Sequence, residues 1–240
     1  MKKNRIFLLR VPTFILSTIS FTALFAMCAT TDLPETEPEN TELNYLALGD
    51  SYTIGESVAN EKIWPNLLVD ALSEKEMLTN STTIIAETGW RTDNMLAAAE
   101  DELDDKKFEI ISLLIGVNNE FQGQDPSDFE PEFIECLTYA IAHCENGAAG
   151  VFVVSIPDYG YTPYGESNQA AISARIDLYN EICERNADNY QVPFYNITPI
   201  SRNGLDQPDL VASDGLHPSG KQYGLWVDQF SNEVFELFNP

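Results

Sequence analysis

Two histidines, His143 and His217, are the whole supply of imidazole in this 240-residue chain, so chemistry that needs a side-chain base near neutral pH rests on one of them. His143 is followed by Cys144, Glu145, Asn146 and Gly147 at the end of an expected helix. An imidazole there commonly serves the last carbonyls and the helix dipole, and His143 is read as structural. His217 follows Asp214 in Ser213, Asp214, Gly215, Leu216, His217, Pro218, a loop in which a turn brings carboxylate and imidazole together. A nucleophilic serine needs such a base, an acid that holds the base in the right tautomer, and preorganised donors for the oxyanion. Ser51 in Gly49, Asp50, Ser51 is the nucleophile candidate. Gly89, after Glu87 and Thr88, and Asn118, in Gly116, Val117, Asn118, Asn119, are the donor candidates. Each fragment alone is an ordinary turn or helix cap; the chemistry lies in their conjunction.

Taken in order, the four blocks resemble the SGNH hydrolases, the GDSL family of esterases and lipases. They read LALGDSYTIGES around Ser51, TGW around Gly89, IGVNN around Asn118 and DGLHPSG around His217, and the resemblance covers residues 43–240. It implies a carboxylic ester hydrolase working through an acyl-enzyme, with Ser51 as nucleophile, His217 as general base and acid, and Asp214 orienting His217. The backbone N–H groups of Ser51 and Gly89 and the amide of Asn118 become the oxyanion hole, and no metal or other cofactor is implied. Physical reasoning about the residue types agrees. Gly49 lets the chain turn sharply off a strand, Gly89 lets a backbone N–H approach a ligand, and Asn118 is a donor that does not titrate. Two departures stand out: Tyr52 where the family name has Leu, and Asn119 where Asp is common. Tyr52 alters packing behind the nucleophile. Asn119 removes a charge beside the oxyanion donor, with consequences for substrate choice or for loop structure.

Those residues must be held by a scaffold, and its elements are legible in the apolar pattern. Apolar runs at 43–48, 82–86, 108–115, 150–156 and 192–197 mostly lack polar alternation, as expected of strands covered on both faces. Segments of helical period lie between and after them, at 62–72, 92–103, 131–144, 170–189 and 219–237. In the last, Tyr223, Trp226, Phe230, Val234 and Leu237 form a core-packing stripe. The alternation predicts an α/β fold, a three-layer α/β/α arrangement around a five-stranded, mostly parallel sheet, which the resemblance implies is flavodoxin-like. Ligands of such sheets bind beyond the carboxyl ends of the strands, where the blocks of Ser51, Gly89 and Asn118 fall; the block of His217 lies just before the last helix. An α/β-hydrolase would instead carry G-x-S-x-G on a later strand, and a zinc hydrolase would cluster its histidines. Carboxylate neighbours such as Asp104 and Asp105 read as solvated surface.

The formal charge of −25, from 13 Lys and Arg against 38 Asp and Glu, excludes a nonspecific grip on nucleic acid. Lys2, Lys3, Arg5 and Arg10 precede an uncharged stretch over 11–27, the pattern of a signal peptide over 1–27; a retained membrane anchor is the competing reading. The run Phe25, Ala26, Met27, Cys28 resembles a lipobox that would lipidate Cys28, although Met27 sits where Gly or Ala is usual. Without residues 1–27 the chain has 9 basic and 38 acidic residues, a charge near −29. Residues 28–42 read as an acidic tether rich in Pro, Glu and Thr, and 43–240 as one domain. The expectation is therefore an exported enzyme, periplasmic, extracellular or lipid-anchored, and monomeric. Any membrane attachment would run through the N-terminus, and the partner is a small-molecule, glycan or lipid ester. Trp90, Arg91, Phe121, Tyr159 and Tyr161 are the candidate substrate contacts. Cys136, Cys144 and Cys183 read mainly as buried thiols, with a bridge from Cys183 left open. A binding lipoprotein that recognises acylated glycans without turnover is the alternative function.

Overall fold

The computed structural model of the protein describes residues 43–238. The leader expected over 1–27, the tether over 28–42 and Cys28 lie outside the described residues. The five apolar runs form one parallel sheet in the spatial order β2-β1-β3-β4-β5. Its strands are β1 (Leu43–Gly49), β2 (Thr79–Ala86), β3 (Ile110–Leu114), β4 (Val151–Val154) and β5 (Phe194–Tyr195). Every residue of β3 and β4 is buried, as follows when helices cover both faces. The edge strand β2 starts earlier than its apolar run, at Thr79. Polar residues join there because an edge ladder needs only backbone pairing, and Ser81 adds a hydroxyl bond to Asn44 at 2.7 Å.

Eight helices follow among the described residues: α1 (Ser51–Ile54), α2 (Trp64–Ser73), α3 (Thr92–Leu103), α4 (Val117–Phe121), α5 (Pro126–His143), α6 (Gln169–Asn189), α7 (Thr198–Ser201) and α8 (Gly220–Phe238). The five long ones are those that the periodicity predicts. The three short ones span about one turn each, too little for a period to register. Expected to begin near Pro131, α5 begins at Pro126 instead. Asp125 caps it by accepting from the Ser127 N–H at 2.9 Å, with Pro126 in the first turn. Pro131 is left inside the helix, where it forfeits one backbone bond. Helix α2 packs on α8, α3 packs on α5, and α5 packs on α6, which makes two helical layers. Of the α8 stripe, Tyr223, Trp226, Phe230 and Val234 are buried and Leu237 is half-buried. Phe230 stacks on Tyr195 at 5.2 Å and meets Trp64 edge-on at 6.1 Å. Cys136, Cys144 and Cys183 are free and buried, and burial pushes their thiols up.

Because the strands are parallel, their carboxyl ends share one edge of the sheet. The chain leaves β1 to form β2 on one side and β3 on the other, so the crevice beyond β1 is a switch point of the fold. Gly49 ends β1 there. Its φ lies outside the left-handed region, so the need for glycine is one of space rather than of turn geometry. A Cβ at Gly49 would lie 2.1 Å from Thr53 Oγ1 and 2.6 Å from the Leu114 carbonyl oxygen. Gly49→Ala is therefore expected to destabilise the fold by about 1–3 kcal/mol, the usual cost of overpacking. Chemical denaturation checks this, and an unchanged midpoint would contradict it.

Candidate active site

Ser51 opens α1 directly after β1 and is buried. As the first helical residue its N–H has no intrahelical partner. Asp50 caps the same helix, its Oδ1 accepting from the Tyr52 N–H at 3.0 Å. Opposite, the loop before α8 folds Asp214 back on its own backbone. Asp214 Oδ1 accepts from the N–H groups of Leu216 at 2.8 Å and His217 at 3.0 Å. Its Oδ2 lies 2.8 Å from His217 Nδ1. The loop is pinned from outside as well, since the Ala212 N–H donates to the His217 carbonyl at 2.7 Å and the Tyr164 N–H to the Gly215 carbonyl at 3.0 Å. Partial burial opposes ionisation of Asp214, but bonds from the Ser57 hydroxyl, the two backbone N–H groups and the His217 ring outweigh it. They hold the carboxyl well below the usual carboxylate range. An imidazole so held at Nδ1 presents Nε2 as a base.

The other two blocks meet beside Ser51. Gly89 has φ +89°, and a Cβ there would find nothing within 4 Å, so glycine is required by the left-handed backbone and not by crowding. Asn118 lies in α4, its Nδ2 donating one hydrogen to the Trp90 carbonyl at 2.8 Å; the other remains for a ligand. Ser51, Gly89, Asn118 and His217 all line one half-open cleft of about 120 Å³. His143, by contrast, caps α5, its Nδ1 lying 2.9 Å from the Tyr139 carbonyl, and does not line the cleft.

The candidate substrate contacts divide. Phe121 and Tyr159 line the cleft, whereas Trp90, Arg91 and Tyr161 do not. Trp90 packs against the core. Arg91 pairs with its near neighbour Asp93 at 2.7 Å. Tyr161 lies under the Arg202 guanidinium, 6.0 Å from its ring centroid. The wall also includes Tyr52, Thr88, Val117 and Leu216, none singled out from sequence as substrate contacts. Tyr52 does more than pack behind the nucleophile: its ring meets the His217 ring edge-on at 5.6 Å. Tyr159 is locked from behind, its hydroxyl donating to Glu120 Oε2 at 2.8 Å while Arg175 Nε donates to Oε1 at 2.7 Å. The signal for that support was a lone Glu after two asparagines, which no local rule links to an Arg 55 residues away. Among the described residues, no Lys, Arg, Asp or Glu lines the cleft.

Residues 47–225 match the GDSL-like lipase/acylhydrolase family. An arylesterase from Vibrio mimicus is 27% identical over 194 residues, covering 77% of this chain and 84% of that protein. Among solved structures, a psychrotrophic esterase from Pseudoalteromonas sp. superposes with a TM-score of 0.62 at 16% identity, covering 82% of this chain and 99% of that one. An acetylxylan esterase from Geobacillus stearothermophilus superposes with a TM-score of 0.63 at 16% identity, covering 80% and 94%. These two likenesses bear on the fold.

Beside Ser51, Asp50 is fully buried and its Oδ2 has no hydrogen-bond partner among the described residues. Burial pushes its carboxyl up to about 7, against the smaller opposing effect of the Tyr52 N–H. Between the ordinary carboxylate value near ~4 and about 7, the folded protein keeps a proton that the unfolded chain has released. Stability must then fall as pH rises through that window. Asp50→Asn keeps an oxygen for the Tyr52 N–H and cannot ionise. Urea unfolding of both proteins at pH 5 and pH 8 is expected to show the variant gaining on the wild type at the higher pH. An equal difference at both would show that Asp50 does not titrate in this range.

Proposed function

Since the chain belongs to the GDSL-like lipase/acylhydrolase family and is a carboxylic ester hydrolase, we propose that it cleaves small, neutral acyl or aryl esters through an acyl-enzyme on Ser51. The observation that carries this reading is one cleft lined by Ser51, Gly89, Asn118 and His217, with His217 Nδ1 held 2.8 Å from Asp214 Oδ2. His217 Nε2 takes the Ser51 proton as Oγ attacks the ester carbonyl. The carbonyl oxygen becomes an oxyanion, met by the N–H groups of Ser51 and Gly89 and the free hydrogen of Asn118 Nδ2. His217 then protonates the departing alcohol, and the C–O bond to it breaks. Water, deprotonated by the same imidazole, attacks the acyl-enzyme; the bond to Oγ breaks, the acid leaves and Ser51 recovers its proton. Asp214 stays ionised throughout, because its carboxyl is held low.

The walls support this substrate class. A volume of about 120 Å³ compares with the ~150 Å³ engineered cavity that takes one benzene ring, so a short acyl chain or a single aromatic ring fits. Tyr52, Phe121 and Tyr159 offer it apolar surface, and the lack of charge favours neutral esters. The arylesterase relative agrees with this choice. Acetyl groups on carbohydrate suit the same acyl site with the sugar at the open rim, whereas the long acyl chain of a lysophospholipid would overflow it. The cationic start and uncharged 11–27 stretch support export as the setting, and Cys28 would be the lipidated residue if the leader is processed there. Intact Ser51, Asp214 and His217 argue against a binding role without turnover.

A series of p-nitrophenyl esters tests this. Turnover is expected to be fastest on acetate or butyrate and to decline with longer chains. Ser51→Ala is expected to abolish it and to prevent labelling by a fluorophosphonate; undiminished hydrolysis by that variant would sink the mechanism. Asn118→Ala is expected to lower kcat by ~100–1,000-fold, the usual cost of one oxyanion donor. Rates rising steadily with chain length would place the acyl group elsewhere.

A further inference from the structure

Asn119, which differs from the usual family residue, sits at the centre of a partly buried hydrogen-bond ring. It is fully buried. Its Oδ1 accepts from the Thr92 N–H at 3.2 Å, and its Nδ2 lies 2.6 Å from both Thr92 Oγ1 and Gln124 Oε1. The Thr92 hydroxyl donates onward to Glu132 Oε2, and Gln124 Nε2 donates to Glu132 Oε1 at 2.8 Å. Donor directions are thereby fixed, since the Thr92 N–H needs an acceptor and assigns the Asn119 amide. Both branches of the ring run from Asn119 to Glu132, a carboxylate brought in by α5 as the terminal acceptor.

The ring joins the two segments that carry the oxyanion donors. Asn118 is tied to the Trp90 carbonyl, and Asn119 to Thr92, so two consecutive asparagines clamp α4 to residues 89–92. An aspartate at position 119 would lose both donors of the Asn119 amide. It would also set two carboxylates against each other where Asn119 Nδ2 now stands 3.2 Å from Glu132 Oε2. Asparagine at 119 and glutamate at 132 are therefore a matched pair. We infer that Glu132 is a positioning residue that, through Asn119 and Thr92, sets the spacing between the Asn118 amide and the Gly89 N–H. The inference rests on the reading of those two groups as oxyanion donors.

The test is a pair of coupled substitutions in the full chain, assayed on p-nitrophenyl acetate. Asn119→Asp is expected to lower kcat by at least about tenfold, short of the ~100–1,000-fold of outright donor removal, with KM within about twofold. Adding Glu132→Gln in the same chain removes the opposing charge and supplies an N–H. It is expected to return kcat to within about threefold of wild type, the non-additivity of contacting groups. Asn119→Asp at the wild-type kcat, or a double variant no faster than the single one, overturns the inference. Should Asn119→Asp not fold, Glu132→Ala carries the test, because it deletes the terminal acceptor without adding charge. The same kcat loss at unchanged KM is expected, and an unchanged kcat overturns the role. Ser51→Ala separates the levels. Activity surviving there defeats the mechanism beneath, whereas an inactive Ser51→Ala beside a full-rate Asn119→Asp defeats only the role of Glu132.

Discussion

The contact of Gly49 with Thr53 and the Leu114 carbonyl is the constraint on which the rest of the site depends. It lets the short helix after β1 fold back close over the end of its own strand, so that Ser51 opens α1 at the switch point of the sheet. Parallel pairing then brings the ends of β2 and β3 alongside, and with them Gly89 and Asn118. With β1 lying between β2 and β3, the nucleophile at its end stands between two donor-bearing turns, at the point where the chain's connections diverge to either side.

Carboxylates near this point behave according to what reaches them rather than how deep they lie. Asp214 collects donors from its own loop and from Ser57, and its charge is stabilised enough to hold an imidazole. Asp50 is more deeply buried and one of its oxygens is left without a partner among the described residues, so desolvation wins over the backbone donors and its proton is retained to about pH 7. Glu120 is buried too, but Arg175 and Tyr159 satisfy both of its oxygens. Of the 38 acidic residues, then, a few serve the site and its walls; the charge of the chain as a whole says little about mechanism.

Much of the fold was legible because burial on both faces writes an unbroken apolar run, and a packed helix writes a period. The five strands and five long helices carry those signals. Where the signal depends on a partner it is lost: β2 extends back to Thr79 because the β1 backbone pairs with Thr79 and Ser81, the register shifting past Asn80 between them. The first turn of α5 lies outside the apolar period at 131–144 because the Asp125 cap and Pro126, rather than a packed face, start it. Among the candidate contacts, Phe121 and Tyr159 face the cleft while Trp90, Arg91 and Tyr161 do not. Proximity along the chain to Gly89, or to the end of β4, does not specify which way a side chain turns.

Sequence alone determined the chemistry on offer. With two histidines, one of them three residues from an acid in a glycine loop, and a serine in Gly-Asp-Ser, the reactive groups were few enough to name. It also determined the alternation of strand and helix that collects such loops at one edge. Tertiary structure decided which long-range groups support them: Arg175 behind Tyr159 through Glu120, and Glu132 behind Asn119 through Thr92. Those partners sit on other helices, Arg175 55 residues from Glu120 and Glu132 40 residues from Thr92, and such a hydrogen bond leaves no periodic trace in the residues on either side of it. Only the packing of α5 and α6 against the loops of the sheet brings them within reach.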